Sequence, residues 1–198
     1  MKQDSIQKML KAAACKLESR PVLQDILYKD GDVYACDSHQ LVKFSGVTDS
    51  KINMKINAIS LLPDTENNYP DLERVINIYD DTMFTIDLDD IKKVVDFLKQ
   101  DKKAIACFTA NVFDNKVYLD LDNDSKLVLP IKKVTGADAT INFSVEYLYN
   151  CLSNLKAFHK EYAINENEVV FKLGKTLQPF TVNYGSMLYL ITPIRKYD

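Results

Sequence analysis

Ile6, Met9, Leu10, Ala13 and Leu17 recur at the i, i+3, i+4, i+7, i+11 spacing that gathers apolar side chains into one helical stripe. Asp4 or Ser5 stands where a helix needs a capping oxygen. A second stretch, IDLDDIKKVVDFLKQ, sets Leu88, Ile91, Val95 and Leu98 on one side, with Asp87 as its cap. A third, NFSVEYLYNCLSNLKAF, uses Val145, Leu148, Leu152 and Leu155, with Ser144 capping and Glu146 in the first turn. Between these helices the pattern shortens to strand-like runs joined by tight turns. VLQDILY turns at Lys29-Asp30-Gly31 into VYAC, and Asp-Gly is a strong hairpin signal. Ile52 to Ile56 reads as one further strand before a polar loop. AIACFTANVF turns at Asp114-Asn115 into KVYLDLD, and KLVLPI follows. EYAIN turns through Glu166-Asn167 into EVVFKL, and PFTVNY and MLYLITPI complete the chain. The order is a helix followed by about three antiparallel strands, repeated, with the first unit incomplete and YPDLERVINIYDD (Tyr69 to Asp81) leading into a larger second one.

Composition narrows the class. The chain has 198 residues, 46% of them apolar, with only 5 glycines and 6 prolines. That is enough chain to bury roughly 70% of its unfolded surface without metals or disulfides. No apolar run approaches the ~18 residues of a membrane span, and the charged start MKQDSIQKMLKAAACKLESR is unlike a secretory leader. Cys15, Cys36, Cys107 and Cys151 are scattered, with no CxxC, which reads as free thiols in a reducing compartment. The expectation is a cytoplasmic protein with no membrane contact. The formal net charge of −3 gives no global signature of nucleic-acid binding, so any such face must be local.

The catalytic and metal patterns fail one by one. The two histidines, His39 and His159, sit in no HExxH arrangement. Gly174-Lys175-Thr176 resembles the end of a phosphate loop, but Val169 stands where its first glycine belongs. DLDNDS, Asp120 to Ser125, alternates acids like a calcium loop, yet Ser125 and Ile131 replace the glycine and glutamate such a loop needs. No metal, no cofactor and no enzyme activity is expected.

Three separated stretches together resemble the bacterial DNA polymerase III beta subunit, the sliding clamp. RPVLQDILYKDGDVYACDSHQLVKF (Arg20 to Phe44) is similar to the strand, hairpin and A-T-D-G-H-R-L turn of the clamp's middle domain. YPDLERVI (Tyr69 to Ile76) resembles the F-P-D-Y-R-R-V connector, and INFSVEYLYNCLSNL with MLYLITPIR resembles the closing helix and terminal strand. Where the family has Thr-Asp-Gly-His-Arg, this chain reads Cys36-Asp37-Ser38-His39-Gln40. The resemblance implies an α+β chain of the DNA-clamp fold, with helices packed on antiparallel sheets in repeated helix-plus-three-strand units. Residues 1–68 then form a shortened clamp-like domain, 69–81 a connector and 82–198 a complete clamp-like domain. A full clamp chain has three domains, so this is a shortened, phage-like or mobile-element relative.

The resemblance also implies a site. A peptide-binding cleft would be lined by Leu23, Cys36, Ser38, His39, Gln40 and Leu41, by Pro70, Arg74 and Val75 of the connector, and by Leu190, Thr192, Pro193 and Ile194 of the last strand. Arg74 and His39 would supply its rim hydrogen bonds. On the helical wheel Lys8 and Lys11 lie opposite the apolar stripe, with Lys2, Lys16 and Arg20 nearby, and Lys92, Lys93 and Lys99 mark the second helix. These are the candidate DNA-facing residues. Two readings follow. One is a processivity factor that encircles double-stranded DNA as a homo-oligomer, without sequence preference, and tethers a polymerase or other partners through its cleft. The other is a clamp-like adaptor or decoy that binds clamp-interacting peptides without encircling DNA.

Overall fold

The first helix, α1 (Ser5–Ala13), forms because its stripe can be buried and its end capped: Ile6, Met9, Leu10 and Ala13 are buried, and the Asp4 carboxylate accepts from the Ile6 N–H at 3.2 Å. This computed structural model describes residues 4–66, 68–76 and 80–195, so Lys2 and the connector's residues 77–79 lie outside the described residues. The helix stops early. Ala14 is extended, and the Cys15 N–H donates to the Leu23 carbonyl at 2.8 Å. Leu17, expected to continue the stripe, is therefore outside the helix and 58% exposed.

A short turn, Pro21–Gln24, leads into β1 (Asp25–Lys29), β2 (Asp32–Cys36) and β3 (Gln40–Phe44). Asp30 and Gly31 both have positive φ, 52° and 91°, the two-residue geometry whose twist suits a hairpin. The expected strand at Ile52 to Ile56 lies slightly later, as β4 (Met54–Asn57). After β4 the chain folds back on itself: Ile56 bridges Pro63, the Asn57 N–H donates to the Leu62 carbonyl and the Asp64 N–H to the Lys55 carbonyl.

The second part runs β5 (Thr82–Asp87), α2 (Ile91–Leu98), β6 (Ile105–Asn111), β7 (Lys116–Leu121), β8 (Lys126–Val128), β9 (Ile131–Gly136), β10 (Ala139–Ser144), α3 (Val145–Ser153), α4 (Leu155–Glu161), β11 (Glu168–Leu173), β12 (Phe180–Tyr184) and β13 (Met187–Ile191). Several local expectations change here. Asp87 does not cap a helix: it ends β5, and its carboxylate holds Lys132 at 2.8 Å. The buried stripe of α2 is Ile91, Val94, Phe97 and Leu98, leaving Val95 half-buried. The third helix breaks at Asn154 into α3 and α4, and Ser144 makes no side-chain cap bond. Residues 142–144 are the end of β10 rather than helix, and EYAIN is no strand, because Glu161 closes α4 and Ala163 turns at φ 46°.

Two sheets result. One has nine strands in the order β4-β1-β2-β3-β13-β12-β11-β5-β9, and the other has four, β10-β6-β7-β8. The repeated helix-plus-three-strand unit is present three times: α1 with β1–β3, α2 with β6–β8, and α3–α4 with β11–β13. The last two interlock by exchange, since β5 pairs with β11 and β10 with β6. Phe108 packs against Phe84, Phe143, Phe171 and Phe180 at centroid separations of 4.7–6.0 Å, between the two interlocked units. Such ring pairs add about 0.5–1.5 kcal/mol each beyond the area they bury.

The nine-stranded sheet joins strands from both sides of the connector, through an antiparallel seam from Met187↔Phe44 to Ile191↔Gln40. A buried polar network crosses it. The Tyr189 hydroxyl donates to Gln40 Oε1 at 2.6 Å, while Gln40 Nε2 donates to the Ala12 carbonyl and the Asp37 carboxylate. A network with every member satisfied fixes one register, where unpaired groups would be costly.

Candidate functional site

Strand alternation sorts the side chains around the seam onto two faces. Val33, Ala35, Val42, Phe44, Tyr189 and Ile191 turn inward to the main core with α1. Tyr34, Cys36, Leu41 and Leu190 turn the other way and form a second, smaller apolar cluster with Leu72 and Ile76. Cys36 pairs with Leu41, and Leu41 with Leu190, so three side chains from three strands stand in one row. The connector lies over this row as a short helical turn, Leu72–Arg74.

Polar groups pin the connector in place. The Tyr69 hydroxyl donates to the Asp25 carbonyl at 3.1 Å and stands 3.7 Å from the Cys36 sulfur. Glu73 accepts from the Tyr34 hydroxyl at 2.6 Å and from Lys43 Nζ at 2.9 Å, and Lys43 also pairs with Asp32 at 3.0 Å. The bonds from Tyr34 and Lys43 hold Glu73 below the usual carboxylate range. Burial opposes the Lys43 charge, but its bonds to Glu73 and Asp32 outweigh it and hold the amine above the usual lysine range. Burial pushes the Cys36 thiol up, so it stays protonated at neutral pH.

Between connector and sheet a cleft of about 340 Å³ remains open. Leu23, Cys36, Ser38, Gln40, Leu41, Pro70, Val75, Leu190 and Thr192 of the expected residues line it, together with Leu72, which the sequence pattern alone had not placed there. The signal for Leu72 was available: Leu72, Val75 and Ile76 keep the i, i+3, i+4 spacing of a single helical turn.

Four expected residues stand elsewhere. His39 follows Ser38, which has a left-handed φ of 84°, and its ring stacks on Tyr147 at 6.1 Å and 9° rather than lining the cleft. There it borders a separate polar hollow of about 260 Å³ with Lys16, Arg20 and Glu146. Its carbonyl accepts from the Thr192 N–H and hydroxyl, which ties the turn to the last strand. The Arg74 side chain is 87% exposed and pairs with Asp71 at 3.0 Å on the solvent side of its turn. Pro193 and Ile194 come after β13 ends, and the Ile194 N–H donates to the Asn142 carbonyl at 2.7 Å, which draws the chain toward β10.

The helices occupy the opposite side of the sheet from the cleft. α1 packs on β2, β3, α3 and α4, and α2 packs on α3. Lys8 is exposed and Lys11 half-buried on α1, whereas Lys16 and Arg20 follow its end. Arg20 donates to the Ser38 hydroxyl at 2.7 Å. Lys92, Lys93 and Lys99 are exposed around α2, with Lys93 held by Asp90 at 2.7 Å. The remaining sequence features have ordinary places. Residues 174–176 lie in the loop between β11 and β12, and Asp120 pairs with Lys126 across the β7–β8 hairpin. Among the described residues no group of His, Cys, Asp and Glu could hold a metal ion, and no helix is long and apolar enough to cross a membrane.

No protein-family model matches the sequence, and no curated protein matches it. Solved structures do. The DNA polymerase III beta chain of Streptococcus pneumoniae aligns over 97% of this chain and 62% of its own, with a TM-score of 0.75 and 21% identity. A sliding clamp from Bartonella birtlesii, solved bound to griselimycin, aligns over 97% and 63%, with a TM-score of 0.73 and 17% identity. The Bacillus subtilis sliding clamp aligns over 98% and 62%, with a TM-score of 0.69 and 15% identity. The chain therefore has the sliding-clamp fold, and it spans a little under two thirds of the length of these neighbours.

Proposed function

We propose that this chain is a sliding-clamp-like processivity factor of DNA replication. It tethers a polymerase or other partner by a short apolar peptide seated between the connector and the seam. Residues 1–68 act as the shortened clamp-like domain, 69–81 as the connector and 82–198 as the complete clamp-like domain. The carrying observation is the position of the cleft: it lies on the outer face of the shared sheet, opposite the helix layer, in a chain with the clamp fold. A concave apolar site with few polar groups suits an anchor residue of a peptide. The helix layer would face the duplex, and encirclement would require a symmetric oligomer, because one and a half domains cannot surround DNA. The chain acts by binding and needs no catalytic group.

The test is a fluorescence anisotropy titration with a labelled clamp-binding peptide from a replicative polymerase. Val75 lines the cleft and is half exposed, so Val75→Ser leaves folding intact. Affinity is expected to fall by about tenfold, the scale of one anchor contact of roughly 1.4 kcal/mol. An unchanged dissociation constant would remove the cleft assignment.

One observation favours the second reading, an adaptor that binds such peptides without encircling DNA. The first unit ends at a β4 whose outer edge is already occupied by residues 62–64. A sheet closed there cannot be extended into a neighbouring subunit by strand pairing at that edge.

A further inference from the structure

The cleft has neighbours on its face of the sheet. On the far side of the connector lies a second hollow of about 240 Å³, walled by residues 70–73 and floored by Leu27, Lys29 and Tyr34. A third, of about 550 Å³, follows over β1 and β4, between Tyr69 and the fold-back at Pro63 and Asp64. Adjacent hollows share walls. Pro70 and Leu72 border both the cleft and the second hollow, while Leu27, Lys29 and Tyr69 border both the second and the third. The three form one track across the sheet, crossed by the single helical turn of the connector.

Charge distinguishes the parts of this track. Among the described residues, none that lines the cleft is charged. The two hollows beyond it are lined by Lys29, Lys55, Asp64, Asp71 and Glu73. All but one of these are matched: Lys55 pairs with Asp64 at 3.7 Å, Asp71 with Arg74 at 3.0 Å and Glu73 with Lys43 at 2.9 Å. Lys29 is exposed, and among the described residues nothing pairs with its amine. Its register partner on β2, Asp32, is taken by Lys43 at 3.0 Å. A charge already held must give up a bond to take a new one. Lys29 is therefore the lining residue poised for a ligand, and the ligand it suits is a carboxylate.

We propose that the peptide seated in the cleft continues over the connector and sets an acidic side chain, aspartate or glutamate, against Lys29. The contact rests on the cleft reading and adds to it a second point of recognition. The sheet fixes its spacing. Leu41 in the cleft stands opposite Cys36 of β2, and Lys29 stands opposite Asp32 of the same strand. Two interstrand steps make about 10 Å, and the run along β2 from Cys36 to Asp32 makes about 13 Å, so the two points lie about 16 Å apart. An extended chain advances about 3.3 Å per residue, which puts the acid about five residues from the apolar anchor. The net charge of −3 opposes an acidic ligand at long range, so a preference for one has to come from a local contact.

Fluorescence anisotropy tests it, with the full chain and a labelled clamp-binding peptide from a replicative polymerase. The peptide is used alone and extended at either end in turn, with glutamate or glutamine at the calculated spacing from the anchor. At low salt the glutamate form of one extension should bind about two- to fivefold tighter than its glutamine form, the scale of one exposed ion pair. Lys29→Gln should erase that difference and leave the affinity of the unextended peptide unchanged. Lys29→Glu should invert it, so that lysine in the extension binds tighter than glutamate. Equal affinity of the glutamate and glutamine forms at both ends overturns the proposal, and so does a glutamate preference that survives in Lys29→Gln. If the unextended peptide does not bind, the cleft reading fails; if it binds and neither extension adds to it, only the contact at Lys29 fails.

Discussion

Asp25 opens β1 with 1% of its surface exposed and the Asp64 carboxyl beside it. Burial first, and then Asp64, push its carboxyl up to about 6. A raised acid is more stable protonated, so its contribution is fully present below the unfolded value near 4 and is lost as pH rises through about 6. Asp25→Asn should remove that loss. In thermal melts from pH 4 to 7, the original chain should lose about 1–3 kcal/mol relative to the variant; parallel curves would show that Asp25 is not the titrating group. No local pattern in QDILYK announces a buried acid, because Asp25 and Asp64 meet only when β4 folds back beside β1. His39 shows the same limit. Its place in the sequence beside Ser38 and Leu41 was legible, but the direction of its ring depends on one left-handed residue, Ser38.

At the scale of elements, the connector is held less by its own propensity than by the Glu73–Lys43–Tyr34 group beneath it. Glu73→Gln keeps an acceptor for Tyr34 but loses the ion pair. Peptide affinity is expected to fall about threefold to tenfold, with faster amide exchange at Val75 and Ile76, as the wall of the cleft loosens. Unchanged exchange would mean that Leu72 and Ile76 alone dock the connector. Elements with one clear period were readable from sequence: Ile6, Met9, Leu10 and Ala13 gave α1, and Asp30-Gly31 gave the first hairpin. β10 was hidden because the alternation of Ile141 and Phe143 runs without a break into Val145, the first residue of α3. The helix break at Asn154 was hidden for a related reason: Leu152, Leu155 and Phe158 stay buried on both sides of it.

For the whole molecule, the sheet separates two surfaces with different chemistry, an apolar cleft on one face and, on the other, a helix layer that carries Lys8, Lys11 and the lysines of α2. If that layer meets duplex DNA, Lys8→Glu combined with Lys11→Glu should weaken retention on DNA. The slope of log affinity against log salt should become shallower by about one for each phosphate that the variant no longer neutralises. Equal retention and an equal slope would mean that α1 does not face the backbone. The clamp fold itself was legible because three stretches, weak one by one, stand in the right order and spacing around one seam. The cover over β4 was not, because Ile56 meets Pro63 only once the chain has folded back on itself.

The fold-back of residues 62–64 onto β4 bears on that last point. A molecule with an open edge at each end can add copies indefinitely, and sheet proteins of that kind grow into fibres. Here one end carries a proline stopper. At that end the sheet offers no template, so a further chain cannot be added to β4 by strand pairing and growth by that route is blocked.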